Sequence, residues 1–254
     1  AAAEQHAQQP AVALGRALFH DPSLSGNGAV SCATCHDLAH GGVDHRMTAI
    51  GIHGTRGTVN TPTVYNAALN FRQFWNGRAA NLEEQAGGPL TNPGEMGAEW
   101  VGVLDHLRHS TYARWFATAY GHEPTEPAVR HAIASFERSL ITPSRFDRYL
   151  QGDVAALARK EVAGYHMFTT YGCVSCHQGQ NIGGNMYQVF GVMKDYFEDR
   201  PHQAESDKGR YLVTHDPRDL HVFKVPSLRN VALTAPYFHD GAAPTLPVAV
   251  STMG

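Results

Sequence analysis

Apolar residues recur at helical spacing through the middle of the chain. In "EWVGVLDHLRHSTYARWFATAYG" (99–121), Val103, Leu104, Leu107, Tyr112, Trp115, Phe116 and Tyr120 fall near one face and predict helix. "PTEPAVRHAIASFERSLITP" (124–143) predicts another. Thr125 can cap it, Pro127 suits its first turn, Val129, Ile133, Phe136 and Leu140 form its apolar stripe, and Pro143 stops it. A third helix is expected near 153–168, opening at Asp153. The segment 28–62 has many glycines and little periodicity, as expected of a long loop that wraps a ligand. Strand-like runs are few, "RYLVTH" (210–215) being one short candidate. The pattern therefore predicts a mainly α protein with long loops and little β structure.

Composition narrows the partners. The chain has 254 residues, 43% hydrophobic and 17% charged, which is ordinary for a globular protein and enough for two domains. A net charge of −3 with no basic run argues against nucleic acid. No apolar stretch is long enough to span a bilayer. The polar "AAAEQHAQQP" start lacks a signal-peptide pattern and reads as a mature end left after signal cleavage. A break is expected at the Gly-containing "YLQGD", giving domains 1–152 and 153–254.

The four cysteines carry the chemistry. They form two C-x-x-C pairs, Cys32/Cys35 and Cys173/Cys176, each followed directly by a histidine, His36 and His177. Zinc can use two such pairs, but it does not need a histidine behind each. A c-type haem does: both sulfurs bond its vinyl groups and the next histidine ligates iron. The spacing thus predicts two cytochrome c-like domains, each with one covalently bound c-type haem. "LGRALF" (14–19) before the first motif and "AGYHMF" (163–168) before the second share Gly-x3-Phe, a faint internal repeat. Haem is normally attached outside the cytoplasm, so a periplasmic protein is expected.

Three long segments then carry a resemblance: "LGRALFHDPSLSGNGAVSCATCH" (14–36), "NTPTVYNAALNFRQFWNGRAANLEEQAGGPLTNPGEMG" (60–97) and "FKVPSLRNVALTAPYFHDGAAPTLPVAVSTMG" (223–254). The chain resembles the bacterial di-haem cytochrome c peroxidases, which share a superfamily with the MauG enzymes. The resemblance implies reduction of hydrogen peroxide by electrons from a small cytochrome c or cupredoxin. It implies that the electron enters at the His177 haem and that peroxide is cleaved at the His36 haem. It places Met253 on the second iron, with Met186 and Met193 as rivals. It places a displaceable His53 above the first iron, with His40 and His45 nearby. It makes Glu95 the distal acid–base and Gln85 its hydrogen-bonding neighbour, while Glu83 and Glu84 read as a solvated helix face. Trp75 would lie between the haems and aid electron transfer. One Ca²⁺ is implied at Asn60, Thr234 and Pro236, with oxygen ligands that suit a hard cation. Family members are often homodimers, and they usually continue some tens of residues past the equivalent of Met253. The alternatives are a MauG-like enzyme acting on a protein partner, a non-enzymatic di-haem electron carrier, and a zinc-binding protein. A carrier has no use for Glu95 and Gln85, and no tyrosine lies close to Met253 to suit a MauG-like iron.

Overall fold

The computed structural model describes residues 2–193, 195–198, 200 and 203–253, with side chains from Gln9 onward. Ten helices are described: α1 Ala2–Phe19, α2 Cys32–Cys35, α3 Leu82–Thr91, α4 Trp100–Arg108, α5 Tyr112–Tyr120, α6 Glu126–Ser139, α7 Arg145–Leu150, α8 Arg159–Thr170, α9 Tyr211–Thr214 and α10 Leu246–Met253. The sheet is one antiparallel pair, β1 Tyr187–Val189 with β2 Val222–Lys224, in which Gln188 faces Phe223. The fold is mainly helical with long loops, as the apolar pattern predicts.

Local chemistry explains where the elements start and stop. Thr125 caps α6 by accepting from the Ala128 amide at 3.4 Å, and Asn81 caps α3 by accepting from the Glu84 amide at 2.9 Å. The expected single helix over 99–121 is two. Ser110 donates to the Leu107 carbonyl at 3.0 Å and accepts from the Tyr112 amide at 3.3 Å, diverting backbone bonds out of the helix. The helix expected from Asp153 begins only at Arg159, since Asp153 uses its carboxylate to accept from Ala155 in a turn. "RYLVTH" is not a strand: residues 211–214 form α9, and the strand lies just beyond, at 222–224.

The core of the first half is α1 laid across α6, with α3 and α5 alongside. Leu14, Leu18, Phe19, Leu107, Phe116, Val129 and Ile133 are buried there, each aliphatic burial worth about 1.5–3 kcal/mol. Gly15 sets the crossing: a Cβ on it would collide with the Ala132 carbonyl oxygen. Gly164, its partner in the faint 14–19/163–168 repeat, has nothing within 4 Å. That similarity therefore does not extend to packing.

A much stronger repeat lies elsewhere. Residues 60–82 and 224–246 align with a constant offset, matching Pro62/Pro226, Asn66/Asn230, Leu69/Leu233, Phe74/Phe238, Gly77/Gly241, Ala79/Ala243 and Leu82/Leu246. The backbones agree. Asn66 and Asn230 are left-handed at φ 60° and 58°, Phe74 and Phe238 at 67° and 73°, and the bridges Gln73–Ala79 and Tyr237–Ala243 correspond. The copies meet through reciprocal bonds: the Asn60 amide donates to the His239 carbonyl at 2.7 Å, and the Lys224 amide donates to the Trp75 carbonyl at 2.8 Å. Thr142 Oγ1 accepts from both Asn66 Nδ2 (2.7 Å) and Asn230 Nδ2 (2.9 Å). The two halves are thus joined about a pseudo-twofold axis near Thr142.

Candidate active site

Each C-x-x-C-H segment forms one tight turn. The His36 amide donates to Cys32 and the His177 amide to Cys173, both at 2.9 Å. The Gly42 amide donates to Asp37 at 2.8 Å, and Gly183 to Gln178 at 2.9 Å, so the loops close alike. The two turns differ at their second cysteine. Cys35 is the last residue of α2, whereas Cys176 lies just outside a tighter turn, Cys173–Ser175, and its amide donates to the Cys173 carbonyl at 3.3 Å. None of the four cysteines is in a disulfide; Cys32, Cys35 and Cys176 are half-buried and Cys173 is exposed. The C-x-x-C pairs are thus not spent on a disulfide framework, and all four sulfurs remain for attachment of a group. His36 Nδ1 donates to the Gly42 carbonyl at 3.2 Å, which leaves Nε2 with its lone pair for a metal. His177 lies beside the backbone of Ile182 and Pro226, and its buried Nδ1 has no well-formed hydrogen bond among the described residues. Burial lowers the pKa of both imidazoles, favouring the neutral form that ligates iron. Burial also pushes the Cys32 and Cys35 thiols up, to about 12 and about 11. Among the described residues, Cys32 and Cys35 do not assemble with Cys173 and Cys176 into one metal set, so a shared zinc tetrahedron is not formed. These residues fit two separate haem groups.

The residues expected above the first iron come from three neighbouring elements. Gln85 lies half-buried on α3. Glu95 is in the loop after α3, held by the Met96 amide to Pro89 (3.1 Å) and the Gly97 amide to Asn92 (2.8 Å). Burial raises the Glu95 pKa, while the Arg78 guanidinium and the Asn92 side chain pull it down. His53 is exposed at the tip of the turn Ile52–Gly54, with a left-handed φ of 57°. That turn lies on the Glu95 loop: the Ile52 amide donates to the Glu95 carbonyl at 2.8 Å, and a Cβ on Gly51 would collide with the Gly94 carbonyl oxygen. His45 is otherwise engaged, both ring nitrogens facing carbonyls, Ala235 at 2.9 Å and His40 at 3.0 Å. His40 Nδ1 pairs with Asp37 at 2.7 Å. Glu84 caps α3 by accepting from the Ala80 amide, and Glu83 pairs with Arg138 at 2.6 Å, so neither is merely solvated.

Trp75 joins the copies. Its Nε1 donates to the Asn60 carbonyl at 2.8 Å, and its carbonyl takes the Lys224 amide. Asn60 is buried, and its Nδ2 donates to Arg46 at 2.9 Å. Thr234 and Pro236 lie on the turn that His45 and Asn60 hold, at Ala235 and His239 respectively. Met253 is the last described residue of α10, partly exposed. Met186 lies at the base of β1, where its carbonyl accepts from Val225 at 3.0 Å, and Met193 is largely exposed.

Comparison with known proteins decides the family. The di-haem cytochrome c peroxidase profile matches residues 9–155. The chain is 46% identical over 245 residues to "Cytochrome c551 peroxidase" of Nitrosomonas europaea, covering 95% of this chain and 72% of that one. The chain belongs to the di-haem cytochrome c peroxidase family. It is likewise 46% identical to "Cytochrome c peroxidase Ccp" of Escherichia coli, over 95% of this chain and 52% of that one. A crystal structure of "a MauG-like protein associated with microbial copper homeostasis" superposes with a TM-score of 0.86 at 31% identity, covering 96% of this chain and 75% of that one. The relatives' names support peroxidase activity for this protein. No helix is long and apolar enough to cross a membrane among the described residues.

The structure adds residues that the sequence reading did not single out. Glu137 on α6 is 4% exposed, its carboxyl pushed up to about 8 by burial, close enough to Cys32 to raise that thiol further. Arg78 stacks its guanidinium 3.4 Å from the Phe74 ring centroid and influences Glu95. His239, at the position equivalent to Trp75, is fully buried and bonded to Asp207 at 2.7 Å. The 60–82/224–246 repeat was visible in the sequence and would have flagged Arg78, Trp75 and His239 as positions where the copies differ.

Proposed function

We propose that this peroxidase divides its labour between its two halves. Cys32, Cys35 and His36 would hold the haem whose iron would supply the chemistry of peroxide cleavage. Cys173, Cys176, His177 and Met253 would hold the haem that would receive electrons from a small cytochrome c or cupredoxin. The observation that carries this reading is the inequality of the repeat copies. The first copy holds Arg78 where the second has Ala242, and at the same offset just past the copies Gln85 corresponds to Ala249. At these two positions the polar side chains belong to the first half and the second half has alanine, which supports a first half specialised for the chemistry of peroxide. The covalently attached haem irons supply the redox chemistry. The protein supplies the protons: Glu95 takes the proton from the near oxygen of peroxide and returns it to the departing oxygen, while Gln85 orients the substrate. Two electrons and two protons convert one H2O2 to two waters.

Trp75 relays the electron in this reading, which is supported by its bonds to Asn60 in one copy and Lys224 in the other. The exposed His53, on a turn bonded to the Glu95 loop, is the displaceable residue in this reading, supported by its nearness to that loop. Calcium at Asn60, Thr234 and Pro236 would lock the turn that carries His239. Asp44 Oδ2, Thr48 Oγ1 and Thr61 Oγ1, buried and unpartnered in the flanking chain, make this an oxygen-rich region suited to a hard cation. Covalent haem attachment, normally made outside the cytoplasm, supports a periplasmic location for this protein. The test of the division is Glu95→Gln. With both haems loaded and reducible, turnover should fall by roughly 10²–10⁴-fold. Wild-type turnover in the loaded variant would show that another group moves the proton.

A further inference from the structure

A buried lysine in the second copy has no use in the mechanism above. Lys224 ends β2 and is 8% exposed. Burial alone lowers its ammonium to about 8, and no described residue pairs with it or accepts a hydrogen bond from it. A buried cation without an anion is costly, and such groups in folded proteins are paired. Its backbone fixes where the side chain starts: the Lys224 amide donates to the Trp75 carbonyl at 2.8 Å, and the Val225 amide to the Met186 carbonyl at 3.0 Å. Two residues on, Pro226 lies beside the Nδ1 of His177. Lys224 also holds the repeat position of Asn60. The carboxylates near the repeat interface are already taken. Asp207 is bonded to His239, Asp240 to Arg200 and Tyr196, and Asp219 to Arg210 and Thr214.

Among the described residues no carboxylate is left for Lys224, which points to an anion from outside the polypeptide. We propose that Lys224 is the cationic anchor for a carboxylate of the prosthetic group in the second half, supplying that group with a compensating positive charge. This rests on the reading of His177 as a haem ligand. Haem carries two propionate groups, so the chemistry matches without a further ligand. A cation beside the group favours the reduced iron, because Fe(III) bears one more positive charge than Fe(II) and the lysine offsets the propionate. Lys224 is thus a positioning residue that holds the second potential up.

The test uses the holoprotein with Lys224→Met, Lys224→Gln and Lys224→Arg. Haem per chain is measured first by the pyridine haemochrome spectrum, then each midpoint by spectroelectrochemical titration. Two haems per chain uphold the functional reading on which the proposal rests; none would overturn that reading separately. In the Met or Gln variant the Fe(III)/Fe(II) equilibrium of the second haem should shift about tenfold toward Fe(III), a fall of about 59 mV for one electron. The first haem should keep its midpoint, and Arg should restore the second. Uptake of haem by Arg but by neither neutral variant also supports the anchor. Loaded neutral variants with both midpoints unchanged would overturn it, as would a fall confined to the first haem. Failure of all three variants to take up haem counts against it, because an anchoring cation should be replaceable by arginine.

Discussion

Replacing Glu137 with glutamine should stabilise the protein near neutral pH and flatten part of its pH dependence. In the unfolded chain this carboxyl ionises near 4.5; buried on α6 it keeps its proton up to about 8. Between those values the native state holds one more proton than the unfolded state, so stability falls as pH rises. Near neutrality the gap is roughly 2.5 units, or about 3 kcal/mol at about 1.4 kcal/mol per unit. Glutamine has the same shape and no charge to desolvate. Urea unfolding of holoprotein, followed by far-UV circular dichroism, measures both proteins from mildly acidic to neutral pH. The variant's advantage should be near zero at the acidic end and grow toward about 3 kcal/mol at neutrality. Parallel curves would refute the reasoning, because Glu137 would then titrate alike in both states.

Four further outcomes follow from the geometry. Met253→Leu should lower the midpoint of the second haem and leave the first in place, read by redox titration, because Fe(II) loses a soft ligand. Thr142→Val should cost about 2–4 kcal/mol in urea unfolding, since Asn66 and Asn230 each lose the acceptor they share. Arg78→Gln should move the acidic limb of the peroxide-rate profile to higher pH, because the guanidinium now pulls the raised Glu95 pKa down. Gly15→Ala should destabilise the α1–α6 crossing, where its Cβ would meet the Ala132 carbonyl, and lower the thermal midpoint.

Much of the molecule was legible in the chain. The C-x-x-C-H motifs are local, so their turns follow from short-range bonds such as His36 to Cys32 and His177 to Cys173. The apolar stripe of α6 and its Thr125 cap were equally local. What failed was the placement of ends. Periodicity ran through residues 99–121, but Ser110 competes for backbone bonds in a way apolar spacing does not record. "RYLVTH" has strand-like composition, yet its chain turns because Arg210 and Gly209 are tied to Val222. Identical motif spacing likewise did not record that Cys35 would end a helical turn while Cys176 falls outside one. The buried charges were not legible either. Lys224 and Glu137 look like ordinary polar positions until β2 and α6 are packed, since burial comes from elements distant in sequence. The repeat of 60–82 in 224–246 was readable and more telling than Gly-x3-Phe. It aligns the residues that make the halves alike and exposes those that make them differ.

The division of labour between the two copies is tested most directly by single-turnover mixing. Protein reduced by one electron is mixed with hydrogen peroxide, and both haem spectra are followed in wild type and Glu95→Gln. The account predicts that in wild type the second haem is oxidised as peroxide reacts at the first. In the loaded Gln variant the second haem should still accept its electron, but its oxidation by peroxide should slow by roughly 10²–10⁴-fold. Oxidation of the second haem at the wild-type rate in that variant would contradict the account.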